Sequence, residues 1–263
     1  MIRSSLLLPL AVALLAFSLS QARDPYFFTA AELTRSFIRD AFIRDAASSI
    51  HPSVHPSVPR GGSDTPPDPP PSGDPLLDSF SSFSASRRAD PRYSTVAVDR
   101  FRLPCSLPKF LSTFLADGAP RSVPLFHEED GDEDVVSSAW SVPDGLGVRR
   151  RAVSFVHPLS NPLGPARTRV EKAQTQRVYG AHGAVLETST RVLDVPGSKV
   201  FTVEDCWIVR ALPGGREVEV TVLIDVRFTG STLLKGIIGS SSRKDGTKWF
   251  QQFMEGGARY LGA

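Results

Sequence analysis

The sequence predicts an α+β fold: a curved antiparallel β-sheet wrapped around one long C-terminal α-helix, with a hydrophobic cavity between them. Three observations predict it. Val218, Val220, Val222, Ile224, Val226 and Phe228 alternate with Glu217, Glu219, Thr221, Asp225 and Arg227, the pattern of a strand wet on one side. Strand-like runs start at Val148, Arg167, Ala184, Lys199 and Arg216, divided by the turn-formers His157–Pro165, Asp194–Ser198 and Pro213–Gly215. Finally, Leu233, Leu234, Ile237, Ile238, Trp249, Phe250, Phe253 and Tyr260 mark a long helix from Thr232, weakened or bent by Gly236, Gly239 and Gly246. One helix does not fill a strongly curved concave face, so a cavity is expected.

The elements follow in order along the chain. Residues 1–22 carry Arg3, an apolar run from Leu6 to Leu19 and Ser20-Gln21-Ala22, the layout of a signal peptide (or anchor). The run is shorter than the roughly 20 residues that cross a bilayer as a helix, which favours cleavage. Residues 23–47 form a short helical segment with the duplication Phe37–Ala41 and Phe42–Ala46. The repeat period of five puts the copies on different helix faces, so this is no repeat architecture. Residues 48–90 duplicate His51-Pro-Ser-Val and run into Thr65-Pro-Pro-Asp-Pro-Pro-Pro71, the composition of a disordered Pro/Ser/Gly-rich linker. Nine of the chain's 22 prolines fall in this stretch, which points to a spacer rather than an unusual fold. The folded domain is expected over 91–263. It opens with a strand over Tyr93–Leu103, then a helix over Ser106–Leu115 with Ser106 as its cap, then a loop-rich stretch over Pro120–Asp144.

Composition excludes several function classes. A net charge of +2 gives no global field for nucleic acid. Arg149-Arg150-Arg151 is expected on a solvated strand edge, since neighbours on a strand face opposite ways. The acidic run Glu128–Asp134 lacks the ordered ligand spacing of a calcium loop, so a solvated, mobile loop is expected. His51 and His55 are each followed by proline and cannot sit on a regular helix as a zinc pair. Two cysteines, Cys105 and Cys206, permit one disulfide without requiring it, and Cys206 suits a buried thiol. No nucleophile elbow, phosphate loop, C-x-x-C or H-E-x-x-H motif is present. The expectation is therefore a binder and not an enzyme, with no cofactor and no metal.

An ordered set of residues then resembles a known family. Trp140, Arg149–Phe155, His157-Pro158, Asn161-Pro-Leu-Gly-Pro165, Thr175-Gln176, Asp194-Val-Pro196, Phe201, Trp207, Val226-Arg-Phe228 and Ser231–Ile238 look like the VASt domain. That is the START-like, Aster-type lipid-transfer module of sterol transporters at membrane contact sites. The resemblance covers Tyr93 to Leu261. It implies a helix-grip fold, one hydrophobic cavity for a sterol, and transfer of that sterol between membranes. The alternative it leaves open is a membrane- or protein-interaction module of the same fold without transfer. Where the family usually has lysine after Gly-Pro, this chain has Ala166, which displaces the basic contact at the rim to Arg167.

The residues expected to line the cavity are Phe155, Phe201, Val203, Trp207, Phe228, Leu234 and Ile237, with Gln174, Gln176, Thr188 and Asp205 as possible partners for a sterol hydroxyl. The loop implied to touch the membrane contains Leu159, Asn161, Pro162, Leu163, Gly164, Pro165 and Arg167. Leu159 and Leu163 serve as apolar probes, and Arg167 and Arg169 lie near anionic lipid. The expected partners are a sterol or other lipid and a membrane surface, not nucleic acid. The expected location is the endomembrane system: the secretory lumen or the ER membrane if the signal is genuine, with the cytosolic face of the ER as the alternative.

Overall fold

Alternation in the second half of the chain resolves into one seven-stranded sheet in a computed structural model that describes residues 72–159 and 165–262. The strands are β1 (Thr95–Leu103), β2 (Glu133–Ser137), β3 (Val148–Pro158), β4 (Arg167–Tyr179), β5 (Gly183–Val192), β6 (Phe201–Ala211) and β7 (Val218–Phe228). Their order is β1-β7-β6-β5-β4-β3-β2, and every pairing is antiparallel. Successive hairpins build β3 to β7, and β1 returns to pair with the last strand. Among the described residues, four α-helices accompany the sheet: α1 (Pro75–Ala89), α2 (Leu107–Phe110, continuing as a π-helical turn over Leu111–Leu115), α3 (Val123–Asp130) and α4 (Lys235–Leu261). The expected curved antiparallel sheet with a long C-terminal helix is what the structure has. Ser106 caps α2 as expected, its hydroxyl accepting from Lys109 N.

α4 lies across the concave face against β1 and β7. Its second half is anchored deeply. Trp249, Phe250, Phe253 and Met254 are buried there against Phe110, Phe114, Trp207, Val220 and Val222. Trp207 meets Phe250 and Phe253 edge-on, with ring centroids 5.6 and 5.3 Å apart, the arrangement that ring quadrupoles favour. Gly257 allows the helix to come this close, because a Cβ there would stand 2.7 Å from Phe114 Cε1. The first half carries only Ile238 and Gly239 as buried residues, and no side chain caps its N-terminus.

Three expectations change. The sheet is wet on its far face only in part, with Arg227 exposed and the middle of the face covered. α1 packs there, and Phe80, Tyr179, Val185, Cys206, Ile208 and Leu223 form a second core beneath it. Residues 75–89, expected within the linker, are therefore helical and docked. Asp74 caps α1 by accepting from Leu76 N and Leu77 N, and Pro75 at the first position costs no hydrogen bond. Residues 1–71 lie outside the described residues, including the signal-like, duplicated and polyproline segments. Second, the loop-rich stretch over Pro120–Asp144 contains α3, capped by Ser122 and closed by left-handed Gly131, and the edge strand β2.

Third, Arg149–Arg151 is not a solvated edge, since the segment that follows β2 runs beside it, Ser138 N donating to Ala152 O and Ser141 N to Arg150 O. Arg149 and Arg151 share the concave face, where their guanidinium carbons lie 5.3 and 4.4 Å from the Trp140 ring centroid. Both cysteines are buried free thiols.

Candidate functional site

Register across the sheet places the concave side chains in rows. Phe155 pairs with Val170 and Val170 with Val192, while Phe201 pairs with Phe228. The next row runs Val153, Lys172, Thr190, Val203, Val226, and the next Arg151, Gln174, Thr188, Asp205, Ile224. Three of the four expected polar contacts thus stand side by side, one strand apart, and Gln176 follows one row below. All four are buried. Arg151 Nε donates to Gln174 Oε1 at 2.7 Å and Arg149 Nε to Gln176 Oε1 at 2.6 Å. Gln174 Nε2 donates to Thr188 Oγ1 at 3.5 Å, and Trp207 Nε1 to Asp205 Oδ1 at 2.8 Å. The result is a polar belt across an otherwise apolar face. Burial lowers the Arg151 guanidinium to about 10, with Asp117 opposing that shift, so it remains charged at neutral pH.

Between this face and the first half of α4 is a cavity of about 170 Å³. Phe155, Val170, Val192, Val203, Ile224, Trp249 and Phe250 supply its apolar wall. Lys172, Asp205, His127, Asp132 and His157 supply polar groups. Burial pushes the Asp205 carboxyl up to about 7, against the attraction of Lys172. Burial also lowers Lys172, with Asp205 and Asp132 working the other way. The Lys172 ammonium has no ion pair among the described residues. It sits 5.1 Å from the Trp249 ring centroid and 6.0 Å from that of Phe155.

Beside it, Asp132 Oδ2 accepts from His127 Nδ1 at 2.6 Å and its Oδ1 from His157 Nδ1 at 2.5 Å. Burial raises Asp132, but these two hydrogen bonds outweigh it and leave the carboxylate below its usual range. His127 is sandwiched between Phe155 and Trp249, at 4.0 and 4.9 Å. Burial, followed by repulsion from Lys172, takes it down to about 4. It is therefore neutral at pH 7, with Nδ1 carrying the proton.

Of the seven expected cavity residues, Phe155 and Val203 line the cavity. Trp207 belongs to the main core behind it. Phe201, Phe228 and Leu234 join Val226 and Ile238 in a separate cluster near the start of α4, and Ile237 is half-buried beside it. Of the polar candidates, Asp205 reaches the cavity, while Gln174, Gln176 and Thr188 stay in the belt. In the membrane-contact loop, Asn161, Pro162, Leu163 and Gly164 lie outside the described residues. Leu159, expected as an exposed probe, is buried, and its N–H donates to Ala166 O across the base of the loop. Pro165 is half-buried, and exposed Arg167 pairs with Glu133 at 2.8 Å. Arg169 forks onto Asp194 at 2.7 and 3.0 Å. The basic residues at this end are therefore matched by carboxylates.

The sequence reading missed Lys172, His127 and Asp132. Lys172 was open to it, since Val170, Gln174 and Gln176 share its parity on β4. Asp132 lay in the acidic run expected as solvated and mobile, yet two histidines from different elements hold it buried. Leu233 was noted only as a helix position, and the structure leaves it fully exposed beside the cluster of Phe201, Phe228 and Ile238.

Among the described residues, no helix is long and apolar enough to cross a membrane, and no group of His, Cys, Asp or Glu is arranged to hold a metal ion. The sequence is similar to Protein VASCULAR ASSOCIATED DEATH 1, chloroplastic, of Arabidopsis thaliana, at 30% identity over 155 residues. That match covers 58% of this chain and 25% of the relative, so the chain spans about a quarter of that protein's length. The profile of the VASt family, described as VAD1 Analog of StAR-related lipid transfer domain, matches residues 96–245. Those residues run from β1 through the whole sheet to the part of α4 over the cavity. With more than half of its 263 residues matched and a START-like helix-grip architecture around a cavity, the chain belongs to the VASt family.

Proposed function

We propose that this domain binds a sterol, or a lipid of similar shape, between the sheet and α4 and transfers it between membranes. The observation that carries the reading is the apolar-walled cavity on the concave face, with a buried ammonium and a buried carboxyl at its polar side. A sterol hydroxyl is both acceptor and donor, which suits Lys172 and Asp205 together. Burying apolar surface gains about 25 cal/mol per Å² relative to water. A bilayer offers a comparable gain, so exchange between cavity and membrane is near balance and reversible.

The cavity of 170 Å³ is smaller than the roughly 300–1,000 Å³ of sites for drug-sized ligands. Entry therefore requires α4 to lift over its first half. Sparse anchoring there, with Gly236, Gly239 and Gly246 in the same stretch, supports such a movement. Exposed Leu233, at the start of that half, supplies an apolar contact for a bilayer. We read the site as a binder and not a catalyst, because Asp205 is held by Trp207 and His127 donates into Asp132, so these hydrogen bonds point into the wall. The signal-like N-terminus supports work on the endomembrane system.

A second reading, an interaction module without transfer, is favoured by the small cavity and by the aromatic packing of Trp207, Phe250 and Phe253. One assay separates them: binding of a fluorescent sterol by the full chain, then its transfer between donor and acceptor liposomes. Saturable binding that is lost in Val203→Trp, with transfer slowed in Leu233→Asp, is the expected result. Absence of binding to sterols and other lipids would leave the interaction module standing.

A further inference from the structure

On the convex face, away from the lipid cavity, α1 and the strands enclose a groove of about 510 Å³. Arg88, Arg100 and Arg210 line it with Ser81 and Ser84, against a single carboxylate, Glu219. Among the described residues, none of the three arginines forms an ion pair. Their neighbour Arg87 is different, since it pairs with Glu187 at 2.7 Å.

Two features bring the three arginines to one groove. β1 bulges between Val98 and Phe101, and at the bulge Arg100 takes a left-handed backbone with φ 48°. Such a conformation is strained for a non-glycine residue, and bulges redirect side chains. Thr221, buried on β7, fixes both ends of the arrangement. Its Oγ1 accepts from Arg88 Nη2 at 2.8 Å and from Arg100 N at 3.3 Å. Arg210 comes from β6, with its guanidinium carbon 5.9 Å from the Phe80 ring centroid. Three elements therefore bring three planar donor groups to one groove, and the donors left over have no protein acceptor among the described residues.

We propose that this groove is an anion site whose ligand is a phosphate group, free or as the monoester headgroup of a lipid. Arginine forks match phosphate oxygens two at a time, and a tetrahedral oxyanion accepts from several forks at once. The site is independent of the lipid cavity. It lies on the opposite face of the sheet, with Glu219 five residues from Ile224 of the cavity wall, or about 17 Å along β7 at roughly 3.3 Å per residue.

The test titrates the full chain with inorganic phosphate by calorimetry. In parallel it measures sedimentation with phosphatidylcholine vesicles, with and without phosphatidic acid. Arg100→Gly removes one guanidinium while suiting the left-handed backbone, and Arg210→Gln removes another. A melting temperature that does not fall in either variant shows that the fold is kept. Charge-assisted hydrogen bonds of the usual strength predict that each variant weakens binding about tenfold or more. Arg216→Gln, outside the groove, leaves it unchanged. Calorimetric binding of inorganic phosphate without binding to phosphatidic acid vesicles identifies a soluble anion, and binding of phosphatidic acid vesicles that falls in both variants identifies a lipid headgroup. The proposal is overturned if neither probe binds, if binding survives both groove variants, or if Arg216→Gln weakens it equally.

Discussion

Phe80→Ala tests whether α1 is part of the folded unit or merely rests on it. Phe80 is 1% exposed, its ring centroid is 5.4 Å from that of Tyr179, and it packs in the convex core with Val185, Cys206, Ile208 and Leu223. Truncating a phenylalanine so enclosed costs about 3–5 kcal/mol, from lost transfer energy and the cavity left behind. In a domain of this size each kcal/mol shifts the melting temperature by about 2–4 °C, so a fall of about 6–20 °C is expected. The assay is thermal unfolding followed by far- and near-ultraviolet circular dichroism, with hydrogen exchange on the amides of α1 and β6. Coincident transitions and joint loss of protection are expected, because α1 also ties to the sheet through Arg88–Thr221 and Arg87–Glu187. A loss below about 1 kcal/mol, with α1 exchanging long before β6, would show that the helix docks independently and refute the reasoning.

Gly183→Ala should act on the same contact, since a Cβ there would stand 2.5 Å from Val209 O and closer still to Phe80 Cζ. A loss of about 1–3 kcal/mol in urea unfolding is expected. Asp205→Asn and His127→Gln should change the pH profile of stability in opposite senses. The folded Asp205 carboxyl holds its proton up to about 7 against an ordinary 3.8, so its contribution is lost as pH rises from about 4 to 7. Folded His127 stays neutral down to about 4 against 6.5, so its contribution is lost as pH falls across that window. The difference between Asp205→Asn and the parent should grow in favour of the variant as pH rises, and that for His127→Gln as pH falls. Parallel profiles in chemical denaturation between pH 4 and 7 would contradict both. Trp140→Leu removes the ring under Arg149 and Arg151 and the Nε1–H donated to Leu115 O at 2.6 Å. A loss of about 2–4 kcal/mol is expected by differential scanning calorimetry.

The sheet was legible because its signal is local. Val218 to Phe228 alternate along one strand, and Pro213-Gly-Gly215 announces the hairpin that feeds it. α1 was hidden because serines interrupt its apolar face and it adjoins a proline-rich segment. Leu223, apolar on the supposedly wet side of β7, was the trace it left. At the site, parity along β4 and β6 put Gln174, Gln176 and Asp205 on the inner face. What parity does not contain is register between strands, and register decides that Asp205 meets Thr188 and that Gln174 faces Arg151. Nor does it reveal how far α4 descends, which is why Trp207 falls in the core and not in the cavity. The two histidines on Asp132 come from α3 and β3, and no spacing in the sequence links them.

Pairing of β1 with β7 sets the order in which the molecule can assemble. Arg88 and its acceptor Thr221 are 133 residues apart in the chain, and β1 has no strand beside it until β7 exists. At roughly 5–20 residues per second, the 115 residues between Leu103 and its partner Val218 leave β1 unpaired for roughly 6–23 s. During that interval the apolar side of β1 is open to other chains, while Phe80 can already meet Tyr179, Val185 and Ile208 as the hairpins from β3 to β6 form. A nascent chain stalled before β7 would present β1 as an unpaired strand, open to pairing with other chains.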